Sequence, residues 1–154
     1  MDQILILLFF YFLILYSIMG YGKIFTLINS NYQASSFDGL LGLALLIFIS
    51  YLTNIFSPHD YLHNSIIILF GLIVFVYDFR QNFSKRRKEL RDLTIIFSII
   101  FMGLLMYKNH DDFFYYHFPY TIILTEFEKV FGLGNLNHGF RTPSSIFYLN
   151  SLFY

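Results

Sequence analysis

The sequence predicts an all-α protein that crosses a lipid bilayer several times. Hydrophobic residues make up 56% of the 154 residues and charged residues only 13%, whereas about a quarter of the residues in a soluble domain are charged. The apolar residues also form runs close to bilayer length, separated by short polar stretches. We therefore expect a polytopic transmembrane helical protein with a single membrane domain over residues 1–154.

Four apolar runs have the composition of membrane spans, and they cover residues 4–20, 40–56, 64–79 and 92–107. The first run lacks a basic start and a small-residue cleavage site, so we expect a retained span and not a signal peptide. The last apolar stretch, residues 146–154, is about half the length of a span. We expect it to be a truncated fifth span, which would make the chain the N-terminal part of a larger protein.

Basic residues concentrate in one segment, and this segment predicts the orientation. Six of the ten Lys and Arg residues lie within residues 80–91, which we predict to be a short loop. Cytoplasmic loops carry an excess of Lys and Arg, so this loop is placed inside. Alternation then puts the N-terminus, residues 57–64 and the outer loop 108–145 on the extracytoplasmic face. Because the formal net charge is zero, we expect a lipid bilayer and no nucleic acid as partners.

The outer loop 108–145 holds the densest polar chemistry. Asp111 and Asp112 follow the fourth span directly, and adjacent carboxylates near an apolar boundary suit a general base. The alternative is that they cap the span or face water. Arg141 can hold a phosphate through its planar fork of donors. The chain has no cysteine, and His117 and His138 lack the spacing of a zinc pair.

An amphipathic helix is predicted within the same loop. Pro119 marks its start, Gly132 marks its end, and its apolar stripe extends to Phe131. We expect it either to lie in the membrane interface or to pack on the ends of neighbouring helices. In the other outer loop, His59 and His63 are predicted to be interfacial polar residues and not metal ligands.

Two motifs in the outer loop resemble a known family. The pattern D-x-x-x-Y-H-x-P begins at Asp112, and G-L-G-N-L-N-H-G-F-R-x-x-S-S covers residues 132–145. Together with the preceding basic turn and span, they resemble uncharacterised bacterial membrane proteins related to the GT-C type of polytopic glycosyltransferase, which uses polyprenyl-phosphate sugar donors. The resemblance is strong over the last quarter of the chain and weaker in the earlier spans.

The resemblance implies transfer of a sugar from a polyprenyl-phosphate carrier to an acceptor, at the outer face of the bacterial inner (cytoplasmic) membrane. It assigns the role of general base to Asp112, with Asp111 as the neighbouring alternative. It places four residues around the donor phosphate or the acceptor: His117, Asn137, His138 and Arg141. Some members of the family use a divalent cation, and no other cofactor is implied.

The chain departs from the family in two respects. The family's catalytic module begins at its first span, whereas three spans precede the matching one here, and the later helices and donor-binding loops of the module are missing. We therefore expect this fragment alone to be inactive. The competing class is a transporter or a non-catalytic polytopic subunit. Against a transporter, no charged residue lies in the middle of a predicted span.

Overall fold

A computed structural model describes residues 2–28, 37–106 and 111–154 as helices joined by turns. No strand occurs within these residues, which confirms the predicted all-α class. Short 3-10 turns are formed by Asp111–Phe113, Leu133–Asn135 and His138–Phe140. The α-helices are α1 (Asp2–Ile28), α2 (Asp38–Asn54), α3 (Tyr61–Gln81), α4 (Phe83–Leu104), α5 (His117–Glu126) and α6 (Ser145–Ser151).

Two of the described helices are long and apolar enough to cross a membrane, namely α1 over Asp2–Phe25 and α3. Helix α2 is apolar but has only 17 residues, and the first half of α4 is charged. The segment predicted as a fifth span begins with α6, a helix of seven residues. Membrane crossing by α1 and α3, as by the other predicted spans, therefore stays a prediction.

The basic segment 80–91 is helical, so the prediction of a short basic loop is wrong. Helix α3 continues to Gln81 and α4 begins at Phe83, with a break only at Asn82. The Asn82 amide donates to the Asp78 carboxylate at 3.1 Å. Arg86, in the first turn of α4, lies 3.3 Å from the same carboxylate. These contacts pair the charges across the break and stabilise a tight helix-to-helix turn.

Helix α1 lies between α2 and α3, and small residues let the backbones approach closely. A Cβ atom added at Gly20 would lie 1.8 Å from the carbonyl oxygen of Gly71 in α3. One added at Gly42 in α2 would lie 1.9 Å from the carbonyl oxygen of Ile18. Any side chain at these glycines would force the helices apart. Close packing through small residues is typical of helix pairs in lipid.

Polar side chains face the interior of the helix bundle, and large apolar side chains face outwards. Phe9, Ile73 and Ile99 are 62%, 66% and 67% exposed, and many other Leu, Ile and Phe residues on α1, α3 and α4 are also exposed. A soluble helical protein has the opposite distribution. Buried polar residues include Ser17, Lys23, Asp38, Ser50, Asn54, His59, Asn64, Asp78 and Ser151.

The end of the bundle that carries the α3–α4 turn also holds a buried ion pair. Lys23 of α1 and Asp38 of α2 form a salt bridge, with side chains that are 2% and 0% exposed. Helix α1 continues well past the predicted span 4–20, so Lys23 lies within a helix. A small cavity lies between Lys23 of this ion pair and the Asp78–Arg86 pair at the α3–α4 turn.

The opposite end of the bundle carries residues 111–144. The backbone N–H of His59 donates to the carbonyl of Leu124 at 2.9 Å, and that of Lys129 donates to the carbonyl of Asn54 at 2.8 Å. These bonds hold the α2–α3 turn and the region after α4 at the same end. Which face of a membrane this end occupies stays a prediction.

Helix α5 is shorter than the predicted amphipathic helix and ends at Glu126. The predicted end at Gly132 is wrong. This glycine has a positive φ of 85° and precedes the turn Leu133–Asn135. The helix stops early because the segment that follows it is held by another helix. The backbone N–H of Lys129 donates to the Asn54 carbonyl at the end of α2. Helix α5 packs on a neighbouring helix, α6, and buries Tyr120, Thr121 and Leu124. Its expected position in the membrane interface stays a prediction.

Candidate functional site

A buried hydrogen-bond network centred on His59 joins α2, α3 and α6. His59 lies in the turn between α2 and α3 and is 0% exposed. Its Nδ1 is 2.6 Å from Ser151 Oγ, and its Nε2 is 3.1 Å from the carbonyl oxygen of Ser50. The Asn64 amide donates to the carbonyls of His59 and Ser151 at 2.9 and 2.7 Å. His59 is therefore buried within the protein, and its predicted position at the membrane interface stays a prediction.

Burial keeps the His59 ring neutral, and its partners then set the tautomer. A carbonyl oxygen only accepts, so Nε2–H donates to the Ser50 carbonyl, and Nδ1 of the neutral ring accepts from the Ser151 hydroxyl, which is also 2.8 Å from the Tyr148 carbonyl. The hydroxyl of Ser50 donates to the carbonyl of Tyr148 at 2.6 Å, so that carbonyl keeps a donor in this arrangement. Burial, with a smaller effect from His63, lowers the pKa of His59 to about 4. The ring is uncharged near neutral pH and acts as a neutral junction between helices.

Two atoms beside this network are buried and without a hydrogen-bond partner in the part of the chain that the structure describes: His63 Nε2 and Asn54 Oδ1. The His63 ring stacks on His59, with centroids 4.9 Å apart and planes 9° apart. Its Nδ1 is 3.2 Å from Asn64 Oδ1. The Asn54 amide nitrogen donates to the carbonyls of Leu124 and Phe127, so its oxygen alone lacks a partner.

Residues 111–144 form a small packed unit with its own apolar core on α5 and α6. The members of this core are Tyr120, Leu124, Leu133, Phe140, Phe147 and Tyr148. The core positions two cavities, which lie on either side of the turn His138–Phe140.

The first of these, which we call the histidine cavity, has a volume of about 340 Å³. It brings together His117 and His138, two of the predicted substrate-binding residues, although they are distant in sequence. Hydroxyl groups of Tyr116, Thr142 and Ser144 supply further polar atoms. Its lining is Tyr116, His117, His138, Gly139, Thr142, Ser144, Ile146 and Phe147.

The predicted base, Asp112, lies one turn before this cavity. It belongs with Asp111 to an exposed 3-10 turn, and its carbonyl accepts from the backbone N–H of Tyr115 and Tyr116 at 3.1 and 3.2 Å. Tyr116 lines the histidine cavity. Both carboxylates are therefore at the rim of the polar unit, on the side that follows α4.

Asn137, another predicted substrate-binding residue, has its amide bonded within the protein. The oxygen accepts from the Gly139 N–H at 2.9 Å, and the nitrogen donates to the Tyr115 carbonyl at 3.3 Å. It therefore ties the turn that carries His138 to the segment that carries Tyr116. Its observed contacts support the walls of the histidine cavity.

The second cavity, which we call the basic cavity, has a volume of about 390 Å³ and contains Arg141. The Arg141 Nε donates to the Gly134 carbonyl at 3.3 Å. Lys129 lies in the same cavity, and its Nζ donates to the Tyr148 hydroxyl at 2.8 Å. The turn His138–Phe140 thus separates Arg141 from the histidine cavity, which His117 and His138 line. The lining is Tyr120, Lys129–Asn135, Phe140, Arg141 and Pro143.

Tyr148 is the buried anchor of the basic cavity. The Lys129 ammonium is 5.3 Å from the centroid of its ring, and the Tyr51 ring of α2 stacks on it at 3.9 Å. Tyr120 hydrogen-bonds to it, and burial raises the pKa of the Tyr120 phenol well above its usual value. Tyr148 therefore accepts from neighbouring donors and holds Lys129 in place.

A third and larger cavity, of about 750 Å³, lies between α1 and α3 beside the His59 network. Most of its wall is apolar and comes from residues such as Phe10, Ile14 and Leu69. Its polar residues include His59, Asp60 and Asn64 near the start of α3, and Thr125 of α5. This cavity suits an apolar group.

A metal centre does not fit the described residues. Among residues 2–28, 37–106 and 111–154, no group of three or more His, Asp or Glu side chains is placed to hold a metal ion.

Sequence reasoning missed Lys129, Tyr148 and the buried position of His59. Lys129 lies three residues past the end of α5, within the segment that the sequence predicts to be helical. The only sequence signal for His59 is its place beside Pro58, in a short turn between two apolar runs. Such a short turn keeps its residues close to the ends of both flanking helices, α2 and α3.

Residues 4–154 match the model of a family described as a domain of unknown function, DUF8201. The chain belongs to this family. No curated protein matches the chain. No solved structure matches it either.

Proposed function

We propose that this chain is the N-terminal part of a GT-C type membrane glycosyltransferase, which moves a sugar from a polyprenyl-phosphate carrier to an acceptor. One observation carries the proposal. Two polar cavities, one lined by histidine and hydroxyl residues and the other by two cationic residues, lie at one end of a helix bundle whose sides are apolar and exposed. That arrangement suits chemistry on a lipid-linked substrate at a membrane surface.

Membrane embedding with four spans, α1 to α4, is part of the proposal. Exposed Leu, Ile and Phe on the helix sides would each be costly in water and favourable in lipid. The contacts between helices use glycines and polar hydrogen bonds, such as Ser17 Oγ to the Ile68 carbonyl at 3.0 Å. Both features are expected where lipid is the solvent. The end with the charged α3–α4 turn then faces the cytoplasm.

The residues of the polar end suggest a division of labour. The Asp112 carboxylate, or that of Asp111, takes the proton of the acceptor hydroxyl as its oxygen attacks the anomeric carbon of the sugar. The bond between that carbon and the donor phosphate oxygen breaks, and the electron pair leaves with the phosphate. A cation beside the leaving phosphate stabilises its growing charge. His117 and His138, which line the histidine cavity, hydrogen-bond the acceptor.

The test is sugar transfer in membranes that contain the full-length protein, with a radiolabelled polyprenyl-phosphate sugar as donor. We expect Asp112→Asn to lower the rate by about a hundredfold or more, the usual contribution of a general base. Asp92→Asn is the matched control, because Asp92 is exposed and lies on α4 near the other end of the bundle. Asp111→Asn identifies which of the adjacent carboxylates acts.

The outcomes separate the assignment from the function. Full transfer by both Asp variants would remove these carboxylates from the mechanism. No transfer by the wild-type protein, with any polyprenyl-phosphate sugar, would favour a transporter or a non-catalytic subunit.

Orientation has its own test, because the chain has no cysteine. A single cysteine in Asp111→Cys should react with an impermeant thiol reagent in intact cells, and one in Arg91→Cys only after lysis. The reverse pattern would invert the proposed topology.

A further inference from the structure

The basic cavity has the composition of an anion site. Among the described residues that line it, Lys129 and Arg141 are the charged ones and none is a carboxylate. We propose that it binds a phosphate group. The assignment to a lipid-linked phosphate rests on the proposed glycosyltransferase function, whereas phosphate binding follows from the cavity alone. Lys129, which the family resemblance does not include, becomes a binding residue.

Lys129 is held in position for a ligand. Its backbone N–H is bonded to the Asn54 carbonyl at the end of α2, and its ammonium donates one hydrogen bond to the Tyr148 hydroxyl. An ammonium group has three donors, so two remain for phosphate oxygens. Because Tyr148 is buried between α2 and α5, the position of the charge is fixed by the core.

Arg141 presents the forked end of its side chain. Its hydrogen bond to Gly134 uses Nε, and no partner is assigned to its two terminal nitrogens among the residues that the structure describes. These nitrogens suit two oxygens of one phosphate. Gly134 is required for this placement, since a Cβ atom there would lie 2.9 Å from Arg141 Cγ and 3.2 Å from its Cα.

The two cavities at this end of the bundle are separated by one turn. His138 and Gly139 line the histidine cavity, and the next two residues, Phe140 and Arg141, line the basic cavity. A phosphate bound to Lys129 and Arg141 would therefore lie next to a site with histidine and hydroxyl groups. This is the order that transfer away from a phosphate requires, with the leaving group on one side and the acceptor on the other.

The experiment measures binding to the purified chain in nanodiscs of zwitterionic lipid. The probes are hexadecyl phosphate, hexadecanol and inorganic phosphate, and retained ligand is counted by native mass spectrometry. We expect the chain to retain hexadecyl phosphate more strongly than hexadecanol, because only the phosphate can bind in the basic cavity. Lys129→Gln and Arg141→Gln should each weaken binding by about tenfold or more, the usual effect of one charge-assisted hydrogen bond. Competition by inorganic phosphate would show that the phosphate alone suffices, and lack of competition that an attached chain is needed.

Matched controls keep the result specific. Lys88→Gln and Arg91→Gln remove the same charges from exposed positions on α4 and should leave binding unchanged. Gly134→Ala keeps both charges but displaces Arg141, so it should weaken binding as Arg141→Gln does. Helix content by circular dichroism is checked for every variant.

Equal binding by the wild type and the Lys129→Gln, Arg141→Gln double variant would overturn the proposal, as would equal retention of hexadecanol and hexadecyl phosphate. The proposed glycosyltransferase function fails separately. Phosphate-dependent binding without any sugar transfer by the full-length protein would reject that function and leave the phosphate site in place.

Discussion

The buried, neutral His59 makes stability depend on pH. The pKa of this side chain is lowered from 6.5 to about 4 in the folded protein. The unfolded chain therefore binds more protons than the folded one between these values, and stability falls as the pH falls. Protonation of His59 favours the unfolded chain, because the folded protein holds the ring in its neutral form. The expected loss is about 2 kcal/mol from pH 7 to pH 5, and about 3 kcal/mol by pH 4.

The assay is reversible unfolding of the purified chain in mixed micelles, followed by circular dichroism at several pH values. His59→Gln lacks the titrating group, so it should be less stable near pH 7 but lose less stability on acidification. His138→Gln is the control, because His138 lies outside the His59 network and should keep the wild-type slope. The same pH slope for the wild type and His59→Gln would refute the assignment of a buried neutral ring.

Three further changes test the packing. Lys23→Met leaves the Asp38 carboxylate buried without its ion-pair partner and should lower the free energy of unfolding by about 3–5 kcal/mol. The double variant with Asp38→Asn should recover most of this loss. Additive effects of the two substitutions in denaturant titrations would contradict a coupled pair. Gly20→Ala should cost about 1–3 kcal/mol or more by forcing α1 from α3, whereas Gly39→Ala, with open space around it, should cost nothing. Ser151→Ala should cost about 1–3 kcal/mol by removing the donor to His59, and unchanged unfolding would show that this bond contributes nothing.

The existence of the helices follows from composition and runs of apolar residues, because a long apolar segment can satisfy its backbone only as a helix in lipid. Their boundaries do not follow in the same way. Charge predicted a loop at residues 80–91, but Asn82 and Asp78 cap a turn so tight that both helices continue through the charged residues. Similarly, α5 stops at Glu126 because Lys129 finds a partner on α2.

The site residues, like the helices, could be predicted from the sequence only in part. Motif reasoning identified His117 and His138, and the fold brings them to one cavity. It also identified Arg141, but the cation that shares its cavity is Lys129, which lies outside both motifs. The depth of His59 could not be predicted, because burial of a histidine depends on partners from three helices.

The sequence by itself determined an all-helical chain with several bilayer-length apolar runs and a polar segment rich in chemically active groups. These features depend on composition and local order, which each stretch of chain carries alone. Only the tertiary structure decided that polar groups face inwards, that His59 is neutral and that two cavities flank one turn. Each of these depends on distant backbones meeting at glycines and hydrogen bonds, and no local pattern records such a meeting.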